Sequence, residues 1–265
     1  MYELLKEKFK DVIDIEEKAN KTREYLQILV LKIFFDQQVF ENVAFVGGTA
    51  LRIIYDLRRF SEDLDFNLIS KKNYSFKNIN SVLEKELNRY GLKVELVVKE
   101  SNVVNTCMLK FVDILNELKI SNIKGHKISI KIEIDTHSPK GFKTLFTPIN
   151  KSFIFAVRQF DLPSLYATKL HACFYRKYTK GRDFYDLVWY LGKKIEPNFI
   201  LLNNAIKQTE GKHLKIGSGN FKEFLGERIK KIDFNHVRKD VERFLEDKSE
   251  LRLLEKNIIL QMISS

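Results

Sequence analysis

Apolar residues in the first forty positions recur at helical spacing, as with Leu26, Val30, Ile33 and Phe34, and predict amphipathic helix. The run VAFVGG at 43–48 reads as a short buried strand ended by a glycine turn. Thr49 is then placed to cap a helix carrying Leu51, Ile54 and Tyr55. DLDFNL at 63–68 alternates polar and apolar, the pattern of a half-buried strand. A helix is expected from Ser75 to Tyr90, stopped by Gly91. Three strand-like runs follow at 92–99, 105–114 and 127–137. In the last, Ile128, Ile130, Ile132 and Ile134 share one face, and Ser129, Lys131, Glu133 and Asp135 the other. Beyond about residue 150 the pattern turns helical, with candidates at 163–175, 182–191, 197–208 and 220–232, two more before the C-terminus, and a glycine-containing break at 211–220. The expectation is an α+β fold: an α/β lobe over 1–150 with N-terminal helices, then a helical lobe over 151–265.

Composition adds charge to this outline. The 265 residues are 44% hydrophobic and 31% charged, an ordinary globular balance, with a net charge of +11. That surplus suits an anionic partner such as a nucleotide or nucleic acid, although lysine-rich surfaces also arise without one. Cys107 and Cys173 lack metal-site or disulfide spacing and read as buried thiols of a reducing compartment. The N-terminus has no hydrophobic signal core, and no uncharged run reaches the roughly 18 residues a membrane span needs. A cytoplasmic protein without membrane contact is expected.

The candidate chemistry begins at GGTALRIIYDLRRFSEDLDF, residues 47–66. A strand period of two puts Asp63 and Asp65 on one face, about 7 Å apart. Carboxylates that close repel unless a cation lies between them, and a hard divalent ion accepts carboxylate oxygens together with substrate phosphates. A bare pair of this kind is more often a solvated strand face. Gly47 and Gly48 change the weighing, because a glycine turn opening a helix offers backbone N–H groups and a positive dipole end to an anion. Ser61, with Arg58 or Arg59 just before it, could bind phosphate or organise the turn. Glu133 and Asp135 could bring a third carboxylate if their strand lies beside DLDFNL. Two-metal transfer needs such a set, with ions held about 3.5–4 Å apart. Spacing leaves both acids open; Glu133, between two isoleucines, is favoured. An exposed strand face remains the plain alternative.

Lys169 sits in an otherwise apolar helical stretch, where it either snorkels at the helix edge or projects as a point charge for phosphates. Residues 151–194 hold nine Lys or Arg against three Asp, which favours a phosphate-facing surface. Asp183 and Asp186 share a face near a helix start; there they stabilise the helix dipole or orient and serve as base near Lys169 and Arg182. His126, His137 and His171 are not spaced for zinc.

In combination, FVGGTALRIIYDLRRFSEDLDF, KIEID and ATKLHACFYRKYTKGRDFYDL resemble the AbiEii-type nucleotidyltransferase toxins of abortive-infection and toxin–antitoxin systems, over roughly residues 43–191. The resemblance implies a polymerase-β-like nucleotidyltransferase core with a helical region, NTP as substrate, Mg²⁺ as cofactor (two ions), and a cognate antitoxin. Some members of that family add nucleotides to tRNA acceptor ends, and others bind GTP. Carried over by motif, Gly47, Gly48 and Thr49 form the phosphate-binding turn, with Arg59 and Ser61 beside it. Asp63 and Asp65 are metal-binding acids joined by Glu133 or Asp135. Lys169 and Arg182 contact nucleotide phosphates, and Asp183, followed by Asp186, is a further essential acid. The reading implied is NMP transfer to an RNA, with tRNA foremost, by a toxin active in phage defence. The rivals are the same fold acting on a protein or small-molecule hydroxyl, and a non-catalytic nucleic-acid-binding or complex-forming protein. A metallonuclease fits less well, since Lys131 precedes Glu133 rather than following it. Residues after 195 match no motif.

Overall fold

The computed structural model describes residues 1–123 and 125–265. In chain order, the first part carries α1 (Tyr2–Lys8), α2 (Ile15–Asp36), β1 (Val43–Val46), α3 (Gly47–Tyr55), β2 (Leu64–Leu68), α4 (Phe76–Arg89), β3 (Val94–Lys99), β4 (Val104–Phe111), α5 (Ile114–Glu117), β5 (Ile128–Asp135), β6 (Thr144–Asn150) and β7 (Ile154–Phe160). The seven strands form one mixed sheet in the order β3-β4-β5-β2-β1-β7-β6. β1 runs antiparallel to β2 and parallel to β7, β2 runs parallel to β5, and β5, β4 and β3 alternate antiparallel. The parallel β2–β5 pair requires a long crossover, which α4, β3, β4 and α5 supply.

The 22-residue α2 is the central core helix. Its Asp14 cap accepts a hydrogen bond from the Glu17 N–H at 2.6 Å, and its face from Tyr25 to Phe34 is buried. Phe34 and Phe45 pack on Phe66 at ring distances of 5.3 and 5.4 Å. At about 1.5–3 kcal/mol for each large apolar side chain buried, this cluster fixes which face of β2 points inward. Leu64 and Phe66 face the core, so Asp63, Asp65 and Asn67 face the other way. The isoleucine stripe of β5 is buried as its alternation predicts. Cys107 and Cys173 are buried free thiols, and burial pushes Cys107 up to about 12.

The later part carries α6 (Leu162–Tyr175), α7 (Gly181–Gly192), α8 (Phe199–Glu210), α9 (Phe221–Lys230), α10 (Phe234–Val241) and α11 (Lys256–Ser264). Pro163 and an Asp161 cap start α6, and Asn198 caps α8. α7 lacks a side-chain cap; its Gly181 N–H donates to Asp240 Oδ2 at 2.6 Å instead.

Two elements differ from expectation. The chain remains β-structured past residue 150, because β6 and β7 extend the sheet on the far side of β1. Thr49 is not a cap: α3 begins at Gly47, and the buried Thr49 hydroxyl donates to the carbonyl of Asp63, tying the helix to the start of β2. Two compact units result, interleaved in sequence. One comprises 1–54, 61–138 and 146–159, and the other 55–60, 139–145 and 160–265. No helix among the described residues is long and apolar enough to cross a membrane.

Candidate active site

In the sheet unit, chain reversal after β1 depends on Gly47, whose φ is +80°. A Cβ there would overlap Oδ2 of Asp65 and lie 3.0 Å from the Cβ and Cγ of that residue. The position therefore requires glycine twice, once for left-handed backbone and once for close approach to a carboxylate. Asp65 is thereby seated at the N-terminal end of α3, where the helix dipole favours negative charge.

β5 supplies the rest. In the β2–β5 register, Asp65 lies opposite Glu133 and Asn67 opposite Asp135. Two residues that spacing leaves in competition thus sit at different levels: Glu133 beside Asp65, Asp135 one pleat further on. Asp135 also accepts the His137 backbone N–H at 2.7 Å, and burial raises its pKa. Ser61 contributes its carbonyl, which accepts from Gln27 Nε2 at 3.0 Å.

Between the acids stands Lys131. Its Nζ lies 2.9 Å from Glu133 Oε2 and 4.0 Å from Asp63 Oδ2. Burial disfavours its charge, but Glu133, Asp63 and then Asp65 outweigh that and hold its pKa above the usual lysine value. Sequence reasoning places Lys131 on the polar strand face with Glu133 and weighs it as a nuclease lysine, but misses this pairing. The signal is present in β5, where a lysine shares its polar face with two acids.

The donor chemistry of Asp63, Asp65 and Glu133 fits a hard divalent cation: three carboxylates from β5 and from β2 and its first flanking residue, two of them near a positive charge. Among the described residues no three His, Cys, Asp or Glu side chains are drawn close enough to hold an ion by themselves.

The remaining predicted residues form a separate cluster within the helical unit. Arg59, only 2% exposed, makes a bidentate pair with Asp186 through Nε and Nη2, both at 2.6 Å. It is pinned there by the segment before β2, where the Phe60 N–H donates to the Phe244 carbonyl at 2.8 Å. Lys169 Nζ lies 2.7 Å from Asp183 and 2.8 Å from Asp186, and Arg176 reaches Asp183 at 2.8 Å. For three of these groups burial opposes the charge, yet attraction prevails: Asp183 is held below the usual carboxylate range, and Arg59 and Lys169 are raised. Lys169 is the centre of a buried ion network joining α6 to α7. The Arg182 guanidinium lies 4.2 Å from the Phe244 ring centre. Arg58 pairs with Glu250 at 2.9 Å, and His171 stacks on Tyr175 and bonds Thr209.

A mixed sheet with a glycine turn beside acids on adjacent strands, followed by a helical region, defines a nucleotidyltransferase-type fold. The structure is similar to the crystal structure of a candidate nucleotidyltransferase from H. pylori, with a TM-score of 0.55 at 20% identity over 91% of this chain and 93% of that one. JHP933 from Helicobacter pylori is more distant, with a TM-score of 0.45 at 18% identity over 92% and 95% of the two chains. The profile of the family described as nucleotidyl transferase AbiEii toxin, type IV toxin–antitoxin system, matches residues 29–256, and the chain belongs to that family of nucleotidyltransferases. A search of curated proteins finds no match.

Proposed function

We propose that the protein is a Mg²⁺-dependent toxin that transfers a nucleoside monophosphate from an NTP to the 3′ hydroxyl of an RNA, with tRNA as acceptor. The observation that carries this is the register that sets Asp65 beside Glu133, against the glycine turn. Asp63, Asp65 and Glu133 would hold Mg²⁺. When bound, the ions neutralise phosphate charge and acidify the attacking hydroxyl. Gly47 keeps Asp65 in place, and the N–H groups at the start of α3 receive phosphate oxygens. In the transfer, the 3′ oxygen bonds the α-phosphorus, the α–β bridging bond breaks, pyrophosphate leaves, and the hydroxyl proton passes to a carboxylate of the site.

Charge distribution supports a polyanionic acceptor. The helical unit carries 24 Lys and Arg against 15 Asp and Glu, a surplus of nine within the chain's eleven. The buried Arg59–Lys169–Asp183–Asp186 network is given a positioning function: it fixes α6, α7 and the segment leading into Ser61. The type IV toxin–antitoxin family supports an antitoxin partner.

The test is incubation of the protein with total RNA, Mg²⁺ and each labelled NTP in turn, followed by sequencing of RNA 3′ ends. Label in protein or in a small molecule, with none in RNA, would move the reading to another hydroxyl acceptor. Undiminished toxicity of Asp63→Ala would leave a binding protein only.

A further inference from the structure

The acidic face of β2 and β5 contains a cation of its own. Lys131 is on the same strand and face as Glu133, two residues earlier, and the parallel register carries its side chain towards Asp63. Glu133 lies 2.9 Å and Asp63 4.0 Å from this ammonium, and the side chains of Lys131, Asp63 and Glu133 retain only 30, 30 and 34% of their accessible surface. Without an internal cation, three acids on two adjacent strands would repel one another. The same ammonium holds Glu133 towards Lys131.

We propose that Lys131 is a resident counter-ion of the acidic site: it holds the β2–β5 face together while no metal is bound, and a divalent ion must displace it from Glu133 to bind. Metal occupancy and the Lys131–Glu133 pair are then mutually exclusive. The ion requirement is set as much by this lysine as by the acids. This inference rests on the reading of Asp63, Asp65 and Glu133 as metal-holding acids.

The experiment uses the full chain and Mn²⁺, with free Mn²⁺ read by its electron paramagnetic resonance signal and melting followed by circular dichroism, with and without chelator. Removing a unit charge about 3–4 Å from the acids is worth about tenfold or more in cation affinity at a half-exposed site. Lys131→Met, which keeps the aliphatic stem, is expected to bind Mn²⁺ about tenfold more tightly than the wild type. It should also melt lower in chelator, so that Mn²⁺ raises its melting temperature by a larger step. Lys131→Arg keeps the charge and is expected to resemble the wild type in both measurements. Lys131→Gln provides the same comparison should the Met variant fail to fold. Wild-type or weaker Mn²⁺ affinity in the neutral variants, with binding still abolished by Asp65→Asn, overturns the inference about Lys131 alone. Mn²⁺ binding that is absent, or indifferent to Asp65→Asn, overturns the reading of the acids as well.

Discussion

Gly47→Ala tests the glycine turn with a control elsewhere in the same unit. Gly47 and Gly91 both hold left-handed backbone, at φ +80° and +74°. They differ in surroundings: an added Cβ meets nothing within 4 Å at Gly91, whereas at Gly47 it overlaps Asp65. Left-handed backbone alone costs a residue with a side chain about 1–2 kcal/mol. That is the full expectation for Gly91→Ala, a fall of about 2–6 °C in melting temperature. At Gly47 the same cost is joined by displacement of the Asp65 carboxylate by roughly 1 Å, for a total of about 2–4 kcal/mol. Thermal melting should thus rank the variants wild type, Gly91→Ala, Gly47→Ala. Activity should separate them further, since a misplacement of about 1 Å at a reacting centre costs about 10²-fold. Nucleotide transfer should fall about a hundredfold in Gly47→Ala and remain near wild type in Gly91→Ala. Equal melting shifts and equal activities in the two variants would refute the claim that Gly47 exists to seat Asp65.

Other perturbations probe the helical unit. Arg59→Met leaves Asp186 with Lys169 alone and is expected to cost about 3–5 kcal/mol in urea denaturation; a loss under about 1 kcal/mol would mean the network is dispensable. Asp183 has its native pKa below the unfolded value, so the unfolded chain takes up its proton first as pH falls. Its contribution is complete above about pH 4 and lost below that. Asp183→Asn should accordingly remove stability at pH 7 and flatten the acid limb, and an unchanged limb would contradict the pairing. RNA affinity should fall steeply with salt, and replacing the exposed Lys177 and Lys180 with Gln should lower the log–log slope by about one for each phosphate no longer neutralised. A slope indifferent to both would place the RNA elsewhere.

Periodicity makes much of this fold legible. DLDFNL and KISIKIEID show their buried faces by alternation, because Phe66 and the isoleucines leave their neighbours no other side. Partnership across the chain is not legible in the same way. That Asp65 aligns with Glu133 rather than Asp135 is a matter of register, set by the core-facing residues of both strands together. β6 escapes notice because TLFTPIN contains Pro148 and exposes most of its side chains, as a sheet-edge strand can. Lys169 announces itself as a cation in need of a partner, but spacing cannot show that Asp183 and Asp186 supply it. The partner of Arg59, Asp186, lies 127 positions away, beyond the reach of spacing arguments.

The most direct measurement is transfer of α-labelled nucleotide to purified tRNA by the wild type and by Asp65→Asn, with folding of both verified by circular dichroism. Label is expected at the RNA 3′ end with the wild type, with a loss of at least about 10³-fold in the folded variant. Undiminished labelling by Asp65→Asn, or no labelling by the wild type with any of the four nucleotides, would contradict this expectation.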